Sequence, residues 1–265
     1  MTFLAIIVLY LRVKTSFMKK VLLISLLTAL FLPCFAQQYV VTSMKGEYIP
    51  VVDTKNPDKT MADTVAYYKH HMQKVMDQVI GTSAQYMIVG KPESLLTNFT
   101  SDVMLGLNTK YTDGQPVDLT MMNVHGHRAP IPEGDITVGD VFSTYSFENE
   151  LVVVRIKGSN LKEVFDGYAS IGGAGISGNV KLVIKDKQLQ DAKVNGLLLD
   201  RNKIYTIVTL DYLAEGNDGM KALKKAESVT NTGLTLRDYI MDYIKEKTRK
   251  GEKLSSQLDG RIVIE

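Results

Sequence analysis

Apolar residues recur at intervals of three and four along several stretches of the chain, the spacing that places them on one face of an α-helix. This spacing predicts helices over residues 61–79, 92–108, 138–145, 159–170 and 235–250. Gly81 follows the first helix as a predicted stop, Pro92 lies in the first turn of the second, and Ser159 is the predicted N-cap of the fourth.

Short runs rich in β-branched residues predict strands between these helices. The predicted strands cover residues 86–89, 117–123, 150–158, 180–186, the first half of 203–219, and 260–265. A hairpin is predicted at 38–53 around Lys45-Gly46, and Asn195-Gly196 marks a tight turn. Because strands and helices alternate irregularly with hairpins, the pattern predicts an α+β fold with a mixed β-sheet and helices packed outside it.

The first 36 residues have the pattern of a signal peptide, and we interpret Met18 as the true start. Lys19 and Lys20 precede an apolar run, and Ala36 is a plausible cleavage point. A lipid anchor on Cys34 is an alternative, although the preceding proline disfavours it. Neither apolar run reaches the length of a membrane span, so we expect no transmembrane segment in the mature chain. The predicted domains are the signal peptide at 1–36, a hairpin lead-in at 37–59 and one domain at 60–265.

Cleavage after residue 36 changes the charge balance of the chain. It removes four of the 31 basic residues and none of the 29 acidic ones, leaving 27 against 29, a net charge near −2. This balance lacks the clustered positive excess that nucleic-acid binding requires. The single cysteine leaves with the signal peptide, so a secreted mature chain has no disulfide and depends on its core for stability.

The sequence "NVHGHR" at 123–128 has three possible interpretations. His125 and His127 would project to the same side of an extended backbone as two metal ligands, but a metal needs three or four, and His70 and His71 are adjacent on a helix. Alternatively, backbone N–H groups and Arg128 could bind an anion after a strand. The third interpretation is a sharp bend with a solvated arginine.

Two further stretches carry residues that could bind a flat, polar ligand. In "LDYLAEGNDGM" at 210–220, Tyr212 could present its ring and Asp218 could accept hydrogen bonds from hydroxyl groups. Phe147 precedes the strand at 150–158 in a polar context. The alternatives are a core tyrosine followed by a solvated turn, and an aromatic lid on the core.

Taken in order, these stretches resemble the C-terminal, substrate-recognition domain of the 5'-nucleotidases over residues 60–265. "ESLLTNFTSDVM" at 93–104 resembles the family's Glu-x-x-x-x-Asn-Leu-x-x-Asp-Ala-Met helix, although Pro92 stands where the family has an arginine. "NVHGHR" resembles Asn-Gly-Gly-Gly-Ile-Arg, with His125 and His127 among the departures. "IPEGDIT" and "SFEN" resemble Ile-Pro-x-Gly-x-Ile-Thr and Pro-Phe-x-Asn, and "LDYLAEGNDGM" resembles Asn-Phe-x-Ala-x-Gly-Gly-Asp-Gly.

The resemblance implies a layered α/β/β/α fold and a nucleotide site. Phe147 and Tyr212 would stack the nucleobase, and Asp218 would bind the ribose hydroxyls. The family's polar loop implies ligand-holding roles for Asn123, Gly126 and Arg128. These six residues are the predicted substrate-binding set, and we predict neither catalytic nor metal-ligating residues in this chain.

Family members hydrolyse phosphate esters with two metal ions held by an N-terminal metallophosphoesterase domain. The Asp-x-His and Gly-Asn-His-Asp/Glu patterns of that domain do not occur in this sequence. Two hypotheses follow for a secreted or periplasmic protein. It is either the nucleotide-recognition component of a 5'-nucleotidase whose divalent metals are held by a separate metallophosphoesterase subunit, or a stand-alone nucleoside- or nucleotide-binding protein without a catalytic role.

Overall fold

The computed structural model describes residues 12, 16–18, 20–21, 24, 40–48 and 58–265. The chain divides into two compact units, Met1–Lys55 and Asn56–Glu265. Most of the predicted signal peptide lies outside the described residues, so it remains a prediction. Residues 40–48, the described part of the predicted hairpin at 38–53, contain no strand and are exposed.

The second unit begins with a helix that projects its side chains into solvent. The α-helices are α1 Lys59–Met76, α2 Leu95–Leu105, α3 Val138–Thr144, α4 Gly158–Ser170, α5 Asp211–Ala214 and α6 Leu236–Arg249, with 3₁₀ turns at Thr109–Tyr111 and Lys221–Lys225. Asp58 caps α1 by accepting a hydrogen bond from Met61 N, and none of the residues of this fully described helix is buried. Within the described part of the chain, no helix combines the length and apolar character needed to cross a membrane.

In the described part of the chain, the strands form three sheets. They are β1 Val79–Ser83, β2 Leu119–Met122, β3 Gly134–Thr137, β4 Glu150–Lys157, β5 Gly175–Ile176, β6 Val180–Lys185, β7 Gln188–Val194, β8 Leu197–Leu198, β9 Ile204–Leu210, β10 Ser228–Thr235 and β11 Ile262–Ile264. The five-stranded sheet has the order β10-β4-β9-β2-β5, the four-stranded sheet β11-β6-β7-β8, and β1 pairs with β3. The two larger sheets each contain one parallel pair, β2 with β9 and β6 with β11.

Helix α4 packs against strands of both larger sheets, while α2 covers β2 and β5. Of the apolar side chains at the predicted spacing, Phe99 and Val103 are buried there, whereas Leu95 is partly buried. Ser94 and Thr97 form a capping box that satisfies the first N–H groups of this helix. The predicted α+β class, with mixed sheets and packed helices, is confirmed.

Three of the local predictions were wrong. Residues 86–89 form only an isolated bridge from Met87 to Ile131, and the strand lies earlier, at β1. Gly81 is inside β1 rather than at the end of a helix. A Cβ there would lie 2.4 Å from Ile244 Cγ2 of α6, so the packing of α6 against β1 favours glycine at this position. The N-cap of α4 is Lys157 instead of Ser159, and it makes no side-chain capping bond.

The predicted turn at Asn195-Gly196 is confirmed. It joins β7 to β8, and both residues have positive φ angles, 52° and 77°. Asparagine and glycine tolerate this backbone region better than other residues, which is the reason the pair predicts a tight hairpin.

Candidate functional site

Three loops meet at one edge of the five-stranded sheet because of the directions of its strands. β2 and β9 are parallel, so the loops that follow Met122 and Leu210 leave the sheet at the same edge. β4 is antiparallel to β9, and Leu151 near its beginning pairs with Leu210. The segment that precedes β4 therefore reaches the same edge, although the three stretches are distant in sequence.

The loop after β2 presents Asn123 and turns sharply through Gly126. Asn123 is buried, and its Nδ2 donates a hydrogen bond of 2.7 Å to Oδ2 of Asp218. A Cβ at position 126 would lie 2.5 Å from both Asn123 Oδ1 and Met122 Cε, so a larger residue here would displace the Asn123 side chain. Farther along the loop, Arg128 N donates to Thr144 O, which anchors the loop to the end of α3.

The loop after β9 holds Asp218 in a defined orientation. Asp218 has a φ of 50°, in the left-handed region that is uncommon for residues other than glycine. Its Oδ1 accepts a hydrogen bond of 3.2 Å from the Tyr212 hydroxyl, and this contact raises the pKa of Tyr212. Asn217 Nδ2 donates to Tyr212 O and closes the loop. The Asp218 carboxylate thus connects the tyrosine of one wall to the asparagine of the other.

Phe147 lies on the segment before β4 and is half exposed, at 50% of its surface. The Arg128 guanidinium lies 5.8 Å from the centroid of its ring, a cation–π arrangement. The buried side chain of Arg237 holds this segment on its core side. It donates hydrogen bonds to the carbonyl oxygen of Tyr145 and to Oε1 of Glu148. An exposed aromatic side chain on a fixed backbone is suited to stacking against a flat ligand.

All six residues of the predicted binding set line one cleft of about 220 Å³. Its lining is Asn123, His125, Gly126, Arg128, Phe147, Asn149, Tyr212 and Asp218. The predicted binding set did not include Asn149, and it left out His125, which the sequence offered as a candidate metal ligand. The sequence could have indicated Asn149, because it is the asparagine of the "SFEN" stretch that resembles the family's Pro-Phe-x-Asn.

The two histidines of the loop have different environments. His125 is exposed and lines the cleft, whereas His127 is 4% exposed. His127 Nε2 lies 2.8 Å from Thr100 Oγ1, which is also within 2.7 Å of the Tyr145 hydroxyl. Burial lowers the pKa of His127 to about 4, so the imidazole is neutral at pH 7. His127 is therefore a core residue, and the two histidines do not face a common ligand.

The polar residues of the family-like helix stretch bind the C-terminal segment. Glu93 accepts from Gly260 N, Asn98 donates to Gln257 O, and Asp102 receives two hydrogen bonds of 2.9 Å from the guanidinium of Arg261. Arg261 is almost fully buried, at 1% exposure. The role of this stretch is to hold residues 257–261 against α2, and within the described residues it contributes nothing to the cleft lining.

Across the part of the chain that the structure describes, no three side chains of histidine, cysteine, aspartate or glutamate converge in a group able to hold a metal ion. The groups that the cleft itself offers are two aromatic faces, a carboxylate, two amides, an imidazole and a guanidinium. Such a set is chemically suited to a ligand that combines a flat ring with hydroxyl groups.

Residues 79–225 match the family described as "5'-nucleotidase, C-terminal domain". The match covers the cleft and more than half of the chain. This chain belongs to the 5'-nucleotidase C-terminal domain family.

Relatives of this family member are longer proteins. It is 33% identical over 150 residues to protein UshA of Yersinia enterocolitica, covering 55% of this chain and 27% of UshA. It is 28% identical over 236 residues to the 5'-nucleotidase of Diplobatis ommata, covering 78% of this chain and 40% of that protein. The chain therefore spans less than half the length of these relatives.

A solved structure shows the same fold in this family. The crystal structure of a 5'-nucleotidase precursor from Thermus thermophilus superposes with a TM-score of 0.66 at 26% identity, covering 78% of this chain and 44% of that one. The superposition extends beyond the residues of the family match, which agrees with the single compact unit at Asn56–Glu265.

Proposed function

We propose that this protein is the nucleotide-recognition component of a secreted 5'-nucleotidase. The observation that carries the proposal is the cleft between Phe147 and Tyr212, with Asp218 and Asn123 hydrogen bonded to each other at its wall. Two exposed aromatic rings supply stacking surfaces for a nucleobase, and the carboxylate accepts hydrogen bonds from ribose hydroxyls.

The cleft accounts for ligand recognition. Hydrolysis of a phosphate ester also requires groups that activate water and neutralise the phosphate. A dinuclear metal site activates a water molecule and neutralises the phosphoryl oxygens. The metallophosphoesterase patterns Asp-x-His and Gly-Asn-His-Asp/Glu do not occur in this sequence, and the relatives are more than twice as long as the matched region. We therefore assign the divalent metals to a separate metallophosphoesterase subunit, with activity arising in the complex.

The proposed location is secreted or periplasmic, through cleavage of the signal peptide at residues 1–36. The pattern that supports it is a pair of lysines, Lys19 and Lys20, followed by an apolar run over residues 21–32 and a cleavage point at Ala36. Expression of the full chain followed by N-terminal sequencing tests it. A mature protein that begins at Gln37 supports the proposal, and a secreted species that retains residues 1–36 contradicts it.

Reconstitution tests the proposed activity. The purified mature chain is mixed with secreted metallophosphoesterases that lack a recognition domain, and phosphate release from AMP is measured with added divalent metal. We expect one partner to be stimulated by the wild-type chain and not by the Phe147→Ala variant. If calorimetry shows AMP binding but no partner is stimulated, the protein is a stand-alone nucleotide-binding protein. If neither adenosine nor AMP binds, both functions are wrong.

A further inference from the structure

A second cavity adjoins the cleft and shares part of its wall. It has a volume of about 200 Å³, and three residues line both it and the cleft: Asn123, His125 and Asp218. Residues that line two adjoining cavities lie between them. We call these three residues the partition.

The second cavity is mostly apolar, and its far wall is held in place. Its lining includes the buried side chains of Tyr168, Leu213 and Met220. The Tyr168 hydroxyl lies 3.1 Å from Met122 O and 3.0 Å from Gly175 O, which fixes the ring. Lys91 is the charged residue of the lining, and its ammonium donates to the carbonyl oxygen of Ile171. An apolar cavity of about 150 Å³ accepts benzene, so the second cavity has room for one aromatic ring.

Two residues of the partition are held by hydrogen bonds, and the third is not. Asn123 Nδ2 donates to Asp218 Oδ2 at 2.7 Å, and Asp218 Oδ1 accepts from the Tyr212 hydroxyl. His125 is exposed, and within the described residues its side chain has no hydrogen bond or ion pair. The imidazole of His125 is therefore the movable part of the partition.

The backbone holds His125 at the tip of a turn. His127 N donates to Val124 O at 3.2 Å, with His125 and Gly126 as the central residues of the turn. The buried ring of His127 lies 2.8 Å from Thr100 Oγ1 and anchors the turn to the core. Because the backbone is anchored, the side chain at position 125 decides how far the partition closes.

We infer that His125 is a specificity-determining residue that separates the ribose site from the second cavity and so restricts the ligand to an unsubstituted ribose. The inference rests on the proposed function, in which Asp218 binds the ribose hydroxyls. A group attached to one of these hydroxyls begins at the partition and meets the imidazole before it reaches the second cavity. The Asn-Gly-Gly-Gly-Ile-Arg pattern that this loop resembles has glycine at position 125, so the separation belongs to this chain's own sequence.

The test compares adenosine with an adenosine that carries an N-methylanthraniloyl ester on its 2'- or 3'-hydroxyl. The ester group is aromatic and fluorescent, and it leaves the other hydroxyl free for Asp218. Calorimetry measures adenosine binding to the purified chain, and fluorescence anisotropy measures binding of the ester. We expect His125→Ala to bind the ester about tenfold more tightly than wild type does, and adenosine within about threefold of wild type. The discrimination is limited because an exposed ring can turn aside at the cost of a less favourable rotamer.

Three control variants separate the partition from other effects. His125→Gln keeps a long side chain at the position and should bind the ester as weakly as wild type. Val124→Ala enlarges the second cavity without opening the partition, since Val124 lines that cavity but not the cleft. His70→Ala removes an exposed histidine that lines neither cavity. The last two variants should also show no gain.

The ester and adenosine results distinguish failure of the inference from failure of the proposed function. If wild type binds adenosine and His125→Ala binds the ester no better than wild type, the inference is wrong and the proposed function stands. A gain in any control variant equal to that of His125→Ala also overturns the inference. If wild type binds neither adenosine nor AMP, the proposed function is wrong and the inference with it.

Discussion

Asn123 Nδ2 donates a 2.7 Å hydrogen bond to Oδ2 of Asp218, and this bond joins the loop after β2 to the loop after β9. The other carboxylate oxygen of Asp218 accepts from Tyr212, so one side chain orients residues on both loops. Asn123 Oδ1 is buried and has no hydrogen-bond partner among the described residues. The arrangement presents an acceptor to any ligand donor that enters between the two loops, which is the expected chemistry at a ribose site.

Replacing Asp218 by asparagine tests the role of its charge in ribose binding. The variant keeps the shape but loses the anionic acceptor, and its amide N–H groups oppose those of Asn123. We expect adenosine to bind about tenfold more weakly, as for the loss of a hydrogen bond to a charged group. Adenine, which has no ribose, should bind the variant and wild type equally in calorimetry.

Asp211→Asn is a control for this substitution, because Asp211 begins the short helix α5 that leads into the Asp218 loop and does not line the cleft. It should leave the adenosine affinity unchanged. A variant at Asp218 that loses adenine and adenosine affinity to the same extent would contradict a ribose-specific role and indicate a collapsed loop.

Phe147 and Tyr212 are predicted to contribute stacking energy. Their rings are 50% and 39% exposed, so each offers a free face while costing little stability when truncated. We expect Phe147→Ala and Tyr212→Ala to weaken adenosine binding by about 1 to 3 kcal/mol each, as for base–aromatic stacking elsewhere. Phe147→Tyr should retain binding, since it retains the ring.

Calorimetry with adenosine and with inosine measures this effect. Stacking tolerates different bases, so both nucleosides should lose affinity in each alanine variant. Thermal unfolding controls for the fold, and the variants should melt within a few degrees of wild type. An alanine variant that folds normally and binds both nucleosides like wild type would exclude a stacking role for that ring.

The sequence predicted the cleft better than the segments around it. Resemblance to a family selected six residues from three loops, and the strand directions bring all six to one edge of the sheet. Periodicity alone predicted helices and strands but not the cleft. Residues 123, 147 and 212 come close to one another only because of the order of the strands in the sheet. Strand order is set by long-range pairing, which a local pattern does not contain.

The wrong predictions have a shared physical cause, since each depended on tertiary contact. Gly81 is a plausible helix stop by composition, and the packing of α6 against β1 requires a glycine at that position for a different reason. Ser159 is a good N-cap by residue type, but its N–H donates to Arg201 O, a contact distant in sequence. Of the three interpretations of "NVHGHR", the paired-histidine one required both side chains on one side of the backbone, and His127 instead lies in the core beside Tyr145.

Arg261 is predicted to be a major determinant of stability. It is 1% exposed and donates to Asp102 and Asp259, and to the carbonyl oxygen of Ile176. Arg261→Met would remove the guanidinium that Asp102 and Asp259 share, leaving Asp102 with Gly178 N and Asp259 with Lys181. Breaking a buried pair in this way costs about 3 kcal/mol or more. We expect the free energy of unfolding to fall by about 3 kcal/mol. This is the lower end of the range for breaking a buried ion pair, because Asp102 is partly exposed.

Urea unfolding monitored by far-ultraviolet circular dichroism measures this loss. Arg201→Met is the matched control, since Arg201 lies in an exposed turn, and it should change the free energy of unfolding by less than about 0.5 kcal/mol. If Arg261→Met is as stable as its control, the segment at 257–261 is held by contacts other than this ion network.

His127 predicts how the stability of the fold depends on pH. Burial lowers its pKa from the ordinary 6.5 to about 4, so between these values the unfolded chain binds more protons at this residue than the folded chain does. Its contribution to stability is therefore complete above pH 6.5 and decreases as the pH falls towards 4. A shift of this size corresponds to about 3 kcal/mol at the acidic limit.

In the free energy of unfolding measured from pH 7.5 to 4, His127→Gln should show a smaller decrease than wild type. His125→Gln should follow the wild-type curve, because His125 is exposed on the same loop. Parallel curves for wild type and His127→Gln would mean that His127 takes up its proton in the folded state near its ordinary pKa, and that other groups cause the acid sensitivity.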